Sequence, residues 1–143
     1  MKPKFALSLS FEGISLLCRV KDGWHRLGDA SLTSDDLGAE LEVLRAMAVE
    51  IDGPEFRSKL ILPNDQIKYL LVDSGRGSRA KREAAAITAL EEATPYSSEE
   101  LAFDLVAAGR HTHVAAVAHE TLAEAEAFAV EHHFNPVRTR KRN

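Results

Sequence analysis

Apolar and polar residues alternate at the start of this chain and then change period. Residues Phe5-Ala6-Leu7-Ser8-Leu9-Ser10 read as a strand, Glu12-Gly13 as a turn, and Ile14, Leu16, Cys18 and Val20 as a second strand. Lys21-Asp22-Gly23 follows, and Asp-Gly readily takes the positive φ angles of a tight hairpin, so Trp24 to Leu32 continues as a third strand. The opening is therefore a three-strand meander. The period then lengthens. Leu37, Leu41, Leu44, Ala48 and Ile51 recur at helical steps, with Thr33 or Ser34 available as a cap and Gly53-Pro54 as a stop.

Lys59-Leu60-Ile61-Leu62 and Ile67 to Val72 flank Pro63-Asn64-Asp65, which predicts two strands, or one bent strand, around a fixed turn. Ser74-Gly75-Arg76-Gly77-Ser78 reads as a flexible joint. Ala80, Ala84, Ile87 and Glu91 mark a helix whose small residues let it lie close to a sheet, ended by Thr94-Pro95. Leu101 to Val106 and His113 to Ala118 predict two more strands around Ala108-Gly109, and Thr121-x-x-Glu124 reads as a capping box opening a last helix through His132. The fold class is mixed α/β: a βββαββ unit over 1–73, then a smaller αββα unit over 74–137. Phe11, Trp24, Tyr69 and Phe103 are the expected aromatic packing residues, with Trp24 anchoring the meander against the first helix. No internal repeat at a fixed period is visible.

With 143 residues, 45% of them apolar, the chain can bury an ordinary core. Its longest apolar runs fall far short of the roughly 18 residues that span a bilayer, and no signal-peptide core opens it. A cytoplasmic location is expected. Cys18, the single cysteine, sits among alternating strand residues and reads as a small buried hydrophobe. Net charge is −4, but Arg138, Arg140, Lys141 and Arg142 crowd the end; without them 14 basic residues face 22 acidic ones, a balance of −8. An acidic body disfavours nucleic acid, whose affinity comes mostly from phosphate neutralisation. Residues 138–143 are expected to be a basic tail, disordered or a truncation point.

Several segments in order carry a resemblance. Lys59-Leu60-Ile61-Leu62-Pro63 leads into Ile67 to Val72, then come the helix closing at Pro95, Leu101-Ala102-Phe103-Asp104, Val114-Ala115-Ala116-Val117 and Asn135-Pro136-Val137. Over roughly residues 5–137 this pattern resembles the cytoplasmic actin-like domains of bacterial envelope-assembly proteins, the type II secretion L protein and PilM-type pilus-assembly proteins. It implies a ribonuclease H-like, actin-like fold and a role in protein assembly. The chain also resembles the N-terminal part of alphaproteobacterial proteins of undetermined role labelled "translation initiation factor 2". A translational GTPase needs a G-x-x-x-x-G-K-[ST] loop, and no such run occurs here.

Ribonuclease H-like nucleases and actin-like ATPases place an aspartate on the first strand to hold Mg²⁺ beside a phosphate. Here that strand offers Ser8 and Ser10, and the hairpin tip carries Glu12 out of register. The phosphate loop of actin-like proteins is missing between the first two strands, and the chain is too short for their second lobe. Gly75-Arg76-Gly77-Ser78 before a helix is a candidate anion cradle, outweighed by the linker reading. His111-x-His113 and His132-His133 have no cysteine or clustered carboxylates beside them, and His119-Glu120 lacks a second histidine, so all read as structural. Trp24, His25 and Tyr69 are candidates for a base-stacking platform.

No catalytic residue, cofactor-binding residue or metal ligand is assigned, and no cofactor is expected. The expected function is a non-catalytic interaction or scaffold domain, the N-terminal part of a longer protein. A protein partner or self-association would dock on a sheet edge or on the Leu37–Ile51 helix. Direct membrane contact is not expected, nucleic acid is disfavoured, and no small-molecule ligand is assigned. One alternative is part of an actin-like nucleotide-binding enzyme whose second lobe is missing. The other is a nucleic-acid module linked to translation, using the basic tail with Arg76, Arg79, Lys81 and Arg82.

Overall fold

The computed structural model describes residues 3–137. In chain order these form β1 (Phe5–Leu9), β2 (Gly13–Val20), β3 (Gly23–Ser31), α1 (Leu37–Asp52), β4 (Ser58–Ile61), β5 (Lys68–Asp73), α2 (Arg79–Ala93), β6 (Leu101–Ala108), β7 (His111–Ala118) and α3 (His119–Glu131). The mixed α/β class and the element order agree with the sequence expectation. The strands form two sheets, ordered β3-β2-β1-β4 and β5-β7-β6. Two compact units result, one of residues 3–63 with 124–137 and the other of residues 64–123. This division differs from the expected one at 73/74. Strand β5 pairs with β7 and so belongs to the second sheet, and residues 124–137 return to the first unit. The basic tail, 138–143, lies outside the described residues.

In the first unit β1 runs antiparallel to β2 and parallel to β4, the latter joined through α1. Phe5 and Leu7 alternate onto one face of the sheet with Ile14 and Leu16, and there they meet Leu41, Leu44 and Ala48 of α1. The helix can come close because β3 offers Gly28. A Cβ at that position would lie 2.8 Å from Leu44 Cδ2. A register shift between Leu16 and Leu17 of β2 sets Gly28 opposite Leu16 and Arg26 opposite Leu17. The cap of α1 is Asp36, whose Oδ1 accepts from the Ala39 amide at 3.0 Å. Neither Thr33 nor Ser34 serves, because Ser34 Oγ accepts from the Asp36 amide and Thr33 is bonded to Ser31.

Three rings close the base of this core. Phe56 meets Phe5 edge-on at 5.5 Å and Phe134 at 6.2 Å, all three being buried. Fully burying such a side chain is worth about 1.5–3 kcal/mol, so the segment after α3 is held by apolar burial. Polar bonds then set its register. Asn135, at φ 51°, donates its side-chain amide to the Pro54 and Phe56 carbonyls at 3.2 and 2.8 Å. Pro136 forms a single parallel bridge to Ser58.

The aromatic expectations need correction. Phe11, at the β1–β2 tip, is 71% exposed and Tyr69 is 57% exposed. Trp24 is half-buried, but it pairs across with Arg19, on the face opposite α1. Its ring lies 4.5 Å from the Arg19 guanidinium carbon and 5.1 Å from Lys59 Nζ, a cation–π arrangement worth about 0.5–1 kcal/mol at an exposed site. Only Phe103 packs as expected, against the core of the second unit.

In the second unit β7 is the central strand, antiparallel to β5 and β6. Ala86 and Leu90 of α2 pack on Leu101, Leu105, Val114 and Ala116. The segment read as a flexible joint is tied into this unit. The Gly75 amide donates to the Arg110 carbonyl at 2.8 Å, and the buried Ser74 and Thr112 hydroxyls lie 2.8 Å apart. The last helix also starts earlier than expected. It begins at His119, directly after β7, so Thr121 lies inside α3 and does not cap it. A reciprocal contact of capping-box type occurs instead at Ser97, whose amide and hydroxyl both donate to Glu100 Oε1.

Candidate interaction surface

Strand alternation sorts the second sheet into two unlike faces. Leu70, Val72, Leu105, Val114 and Ala116 point toward α2, whereas their neighbours point the other way. On that second face, cross-strand registers set three rows of side chains. Leu71, His113 and Val106 form one row; Tyr69, Ala115 and Asp104 form the next; Asp73, His111 and Ala108 form the third. Tyr69, Leu71 and Val106 are 57%, 60% and 60% exposed. Tyr69 and Leu71 stand on β5 and Val106 on β6, the two edge strands, with His113 and Ala115 of β7 between them, so the face is apolar at both edges and carries a histidine at its centre. The Tyr69 hydroxyl donates to Asn64 Oδ1 at 3.1 Å, and Asp104 Oδ1 accepts from the Leu105 amide at 2.9 Å.

Basic residues gather at the end of this unit where the β6–β7 turn meets the segment before α2. Arg110 Nη2 lies 3.7 Å from Asp73 Oδ1, and both side chains are well exposed. A Cβ on Gly109 would lie 4.0 Å from Arg76 Nη2, and one on Gly75 would lie 3.6 Å from Lys81 Nζ, so both heads sit by the β6–β7 turn and the segment before α2. Arg76, Arg79 and Lys81 are exposed and form no ion pair among the described residues. The arrangement opposes the helix dipole. α2 has no acidic residue in its first turn and no basic one in its last, with Arg79, Lys81 and Arg82 at the positive end and Glu91 and Glu92 near the negative end. Each such placement costs about 0.3–1 kcal/mol relative to its opposite.

Arg82, read from the sequence among residues for a nucleic-acid surface, is instead a structural clamp. Its Nη2 donates to the Gly109 carbonyl at 2.7 Å, Nη1 to the His111 carbonyl at 2.8 Å and Thr112 Oγ1 at 3.0 Å, and Nε to the Gly77 carbonyl at 3.3 Å. The planar fork of arginine suits this, because one group can serve several carbonyls at once. At the start of α2, Ser78 Oγ accepts from the Lys81 amide at 3.2 Å.

The other candidates scatter. Ser8 pairs with Ser15 and Ile61 within the first sheet, and Ser10 bonds Gly13 across the hairpin tip, where Glu12 is exposed. Cys18 packs on the edge of the first core and donates weakly to the Arg19 carbonyl. The His132 ring lies 4.7 Å from that of Phe128, tilted by 52°, and His133 turns the chain at φ 63°. Trp24 and His25 belong to the first unit and Tyr69 to the second. Among the described residues no three His, Cys, Asp or Glu side chains are grouped as a metal site would need. On α1, Val43 and Ile51 are 56% and 49% exposed, and Leu41, Leu44 and Ala48 are buried. The open face of the second sheet was not legible as a surface in the sequence. Its only signal was the alternation of β5 with an unusually apolar outward set.

No family model and no curated protein matches this chain. Solved structures do. The cytoplasmic domain of EpsL, an inner membrane component of the type II secretion system of Vibrio cholerae, is similar over 94% of this chain and 55% of that one, at 14% identity and TM-score 0.67. The PilM–PilN type IV pilus biogenesis complex holds a chain similar over 98% of this one and 47% of its own length, at 12% identity and TM-score 0.64. The chain shares their fold. It spans about half the length of each, and at these identities the likeness is one of architecture, in agreement with the resemblance read from the sequence. No helix among the described residues is long and apolar enough to cross a membrane.

Proposed function

We propose that this chain is a non-catalytic protein-interaction domain that acts within a larger assembly in the cytoplasm. The observation that carries the reading is the open sheet face of the second unit, where Tyr69 and Leu71 on one edge strand and Val106 on the other present apolar surface. A rigid sheet offers such residues at little ordering cost, and a few anchors, tyrosine among the commonest, supply most of the energy of protein interfaces. The shared architecture with components of secretion and pilus systems supports the same reading, because those proteins work through partners. The absence of catalytic function rests on the first strand, where Ser8 and Ser10 stand at the positions that the resemblance would fill with a metal-binding carboxylate.

Two measurements test this. Affinity capture with the whole chain and with Leu71→Lys as baits should retain one partner on the first and lose it on the second. A partner retained equally by both would remove the face from the reading. Thermal melting with ATP or GTP and Mg²⁺ should leave the transition unmoved, since a ligand bound only by the folded state raises its stability. A concentration-dependent rise would favour the nucleotide-binding alternative.

A further inference from the structure

We infer that this chain associates with a second copy of itself, the basic end of the second unit in one copy receiving the acidic end of that unit in the next. The contact lies apart from the open sheet face. Strand register aligns Asp73, His111 and Ala108 at one end of the unit, and Lys68, Leu101 and the close of β7 at the other. The bonds of Arg82 to Gly109 and His111 put the start of α2 at the first end, and the Ser98 amide on Glu91 Oε2, at 3.1 Å, puts its last turn at the second. Charge follows this division. Between residues 64 and 123 the basic residues are Lys68, Arg76, Arg79, Lys81, Arg82 and Arg110, and all but Lys68 belong to the first end. The second end carries Asp65, Glu91, Glu92, Glu99, Glu100 and Glu120, all of them exposed. Two carboxylates dilute the basic end: Asp73, 3.7 Å from Arg110, and Glu83, a turn into α2.

The two ends cannot neutralise each other within one copy. The 15 residues of α2 hold them roughly 22 Å apart, well beyond the screening length of about 8 Å at physiological salt. Both ends also oppose the dipole of α2, with cations at its positive start and carboxylates at its negative close. A second copy relieves both at once, because it brings carboxylates to the start of one α2 and basic groups to the close of the other. The groups are held ready for this. A Cβ on Gly77 would lie 2.7 Å from Lys81 Cδ, so the missing side chain lets Lys81 fold back over the turn and bring its ammonium to Gly75. Glu91 accepts from the Ser98 amide and Glu100 from Ser97, which fixes both carboxylates on the exposed loop between α2 and β6. Glu92 and Glu99 beside them form no ion pair among the described residues. A long nucleic acid or a bilayer fits less well, since it would face the other carboxylates of a chain of net charge −4 as well as the basic end. The acidic end is built on the same three strands and helix as the basic end, so the two match in width.

Sedimentation of the full chain at rising concentration tests the contact. Exposed charge pairs are individually weak, so the average mass should rise over roughly 0.1–1 mM protein at low salt and return to that of one copy at about 0.5 M salt. Arg79→Glu with Lys81→Glu reverses the basic end, and Glu92→Lys with Glu99→Lys reverses the acidic one. Each doubly substituted chain should associate about tenfold or more weakly by itself. Mixed in equal amounts the two should associate again, because the untouched ends pair with each other and so do the reversed ends. Folding should be kept, since Glu at the start of α2 and Lys at its close suit the dipole, and damage to the fold would not give recovery on mixing. A parent chain that stays a single copy at every concentration would overturn the proposal, as would association that persists in either reversed chain or a mixture that does not recover. If capture of a partner still depends on Leu71 while the parent chain stays a single copy, the interaction reading stands and this contact falls.

Discussion

The hydroxyl of Ser58 donates to the carbonyl of Phe134 at 2.6 Å, and Ser58 is fully buried. The backbone extends the same link, with the Ser58 amide on the Asn135 carbonyl at 3.3 Å and the Val137 amide on the Ser58 carbonyl at 2.8 Å. One small residue at the start of β4 thus receives the segment after α3, some 76 residues later in the chain. Ser58→Ala removes the hydroxyl and leaves the Phe134 carbonyl without that donor. A loss of about 1–3 kcal/mol is expected, seen as a lower urea midpoint with the slope unchanged. A midpoint equal to the parent would mean that the Phe5, Phe56 and Phe134 rings hold the segment unaided.

Arg82 should behave as a stabilising residue. Lysine keeps the charge but cannot reach Gly77, Gly109, His111 and Thr112 together. Arg82→Lys is expected to cost about 1–2 kcal/mol, less than for a buried group because the residue is half-buried and water can replace some bonds. Hydrogen exchange would show faster opening of the Gly75 amide, which is bonded to the Arg110 carbonyl in the same turn. Unchanged protection there would remove the clamp assignment.

Gly28 and Leu44 should be coupled. A valine at position 28 would drive methyl groups into the space of Leu44 Cδ2 and the Met47 thioether, and overpacking of this kind costs about 1–3 kcal/mol. Leu44→Ala alone should cost about 2–5 kcal/mol. Combined, the two should cost clearly less than their sum, because the truncated side chain makes room. Simple additivity in the double-mutant cycle would show that the helix shifts away as a body.

Leu71 and Val106 should matter little to folding. Leu71→Thr and Val106→Thr each leave a β-branched residue suited to a strand and remove exposed apolar surface. The change in unfolding free energy should stay within about 0.5 kcal/mol. A larger loss would mean that the outer face is covered in the folded chain and is not an open surface.

The elements themselves were legible in the sequence because local patterns make them. Lys21-Asp22, just ahead of Gly23, closes the second hairpin, the spacing from Leu37 to Ile51 makes α1, and Gly53, at φ 85°, stops it. Capping was harder to read. Thr33, Ser34 and Asp36 all carry suitable oxygens, and the choice fell to Asp36 because neighbouring side chains engaged the other two. α3 starts at His119, directly after β7 and two residues before the Thr121 signal. Trp24 was expected on the helix side, but its position opposite Arg19 sends it to the other face, and only the register of β2 with β3 decides that.

What the sequence by itself determined is therefore the list of elements, their order, the mixed α/β class and hydroxyls at Ser8, in the first strand, and Ser10, just after it. The tertiary structure alone decided that β5 joins β7, that the chain after α3 returns to β4 through Ser58, and that Arg82 is consumed while Leu71 and Val106 share an open face. The reason is physical. Periodicity and turn chemistry act between residues a few positions apart, whereas strand pairing and the exposure of a face depend on which distant segments meet, and a period of two is the same whichever partner the strand finds.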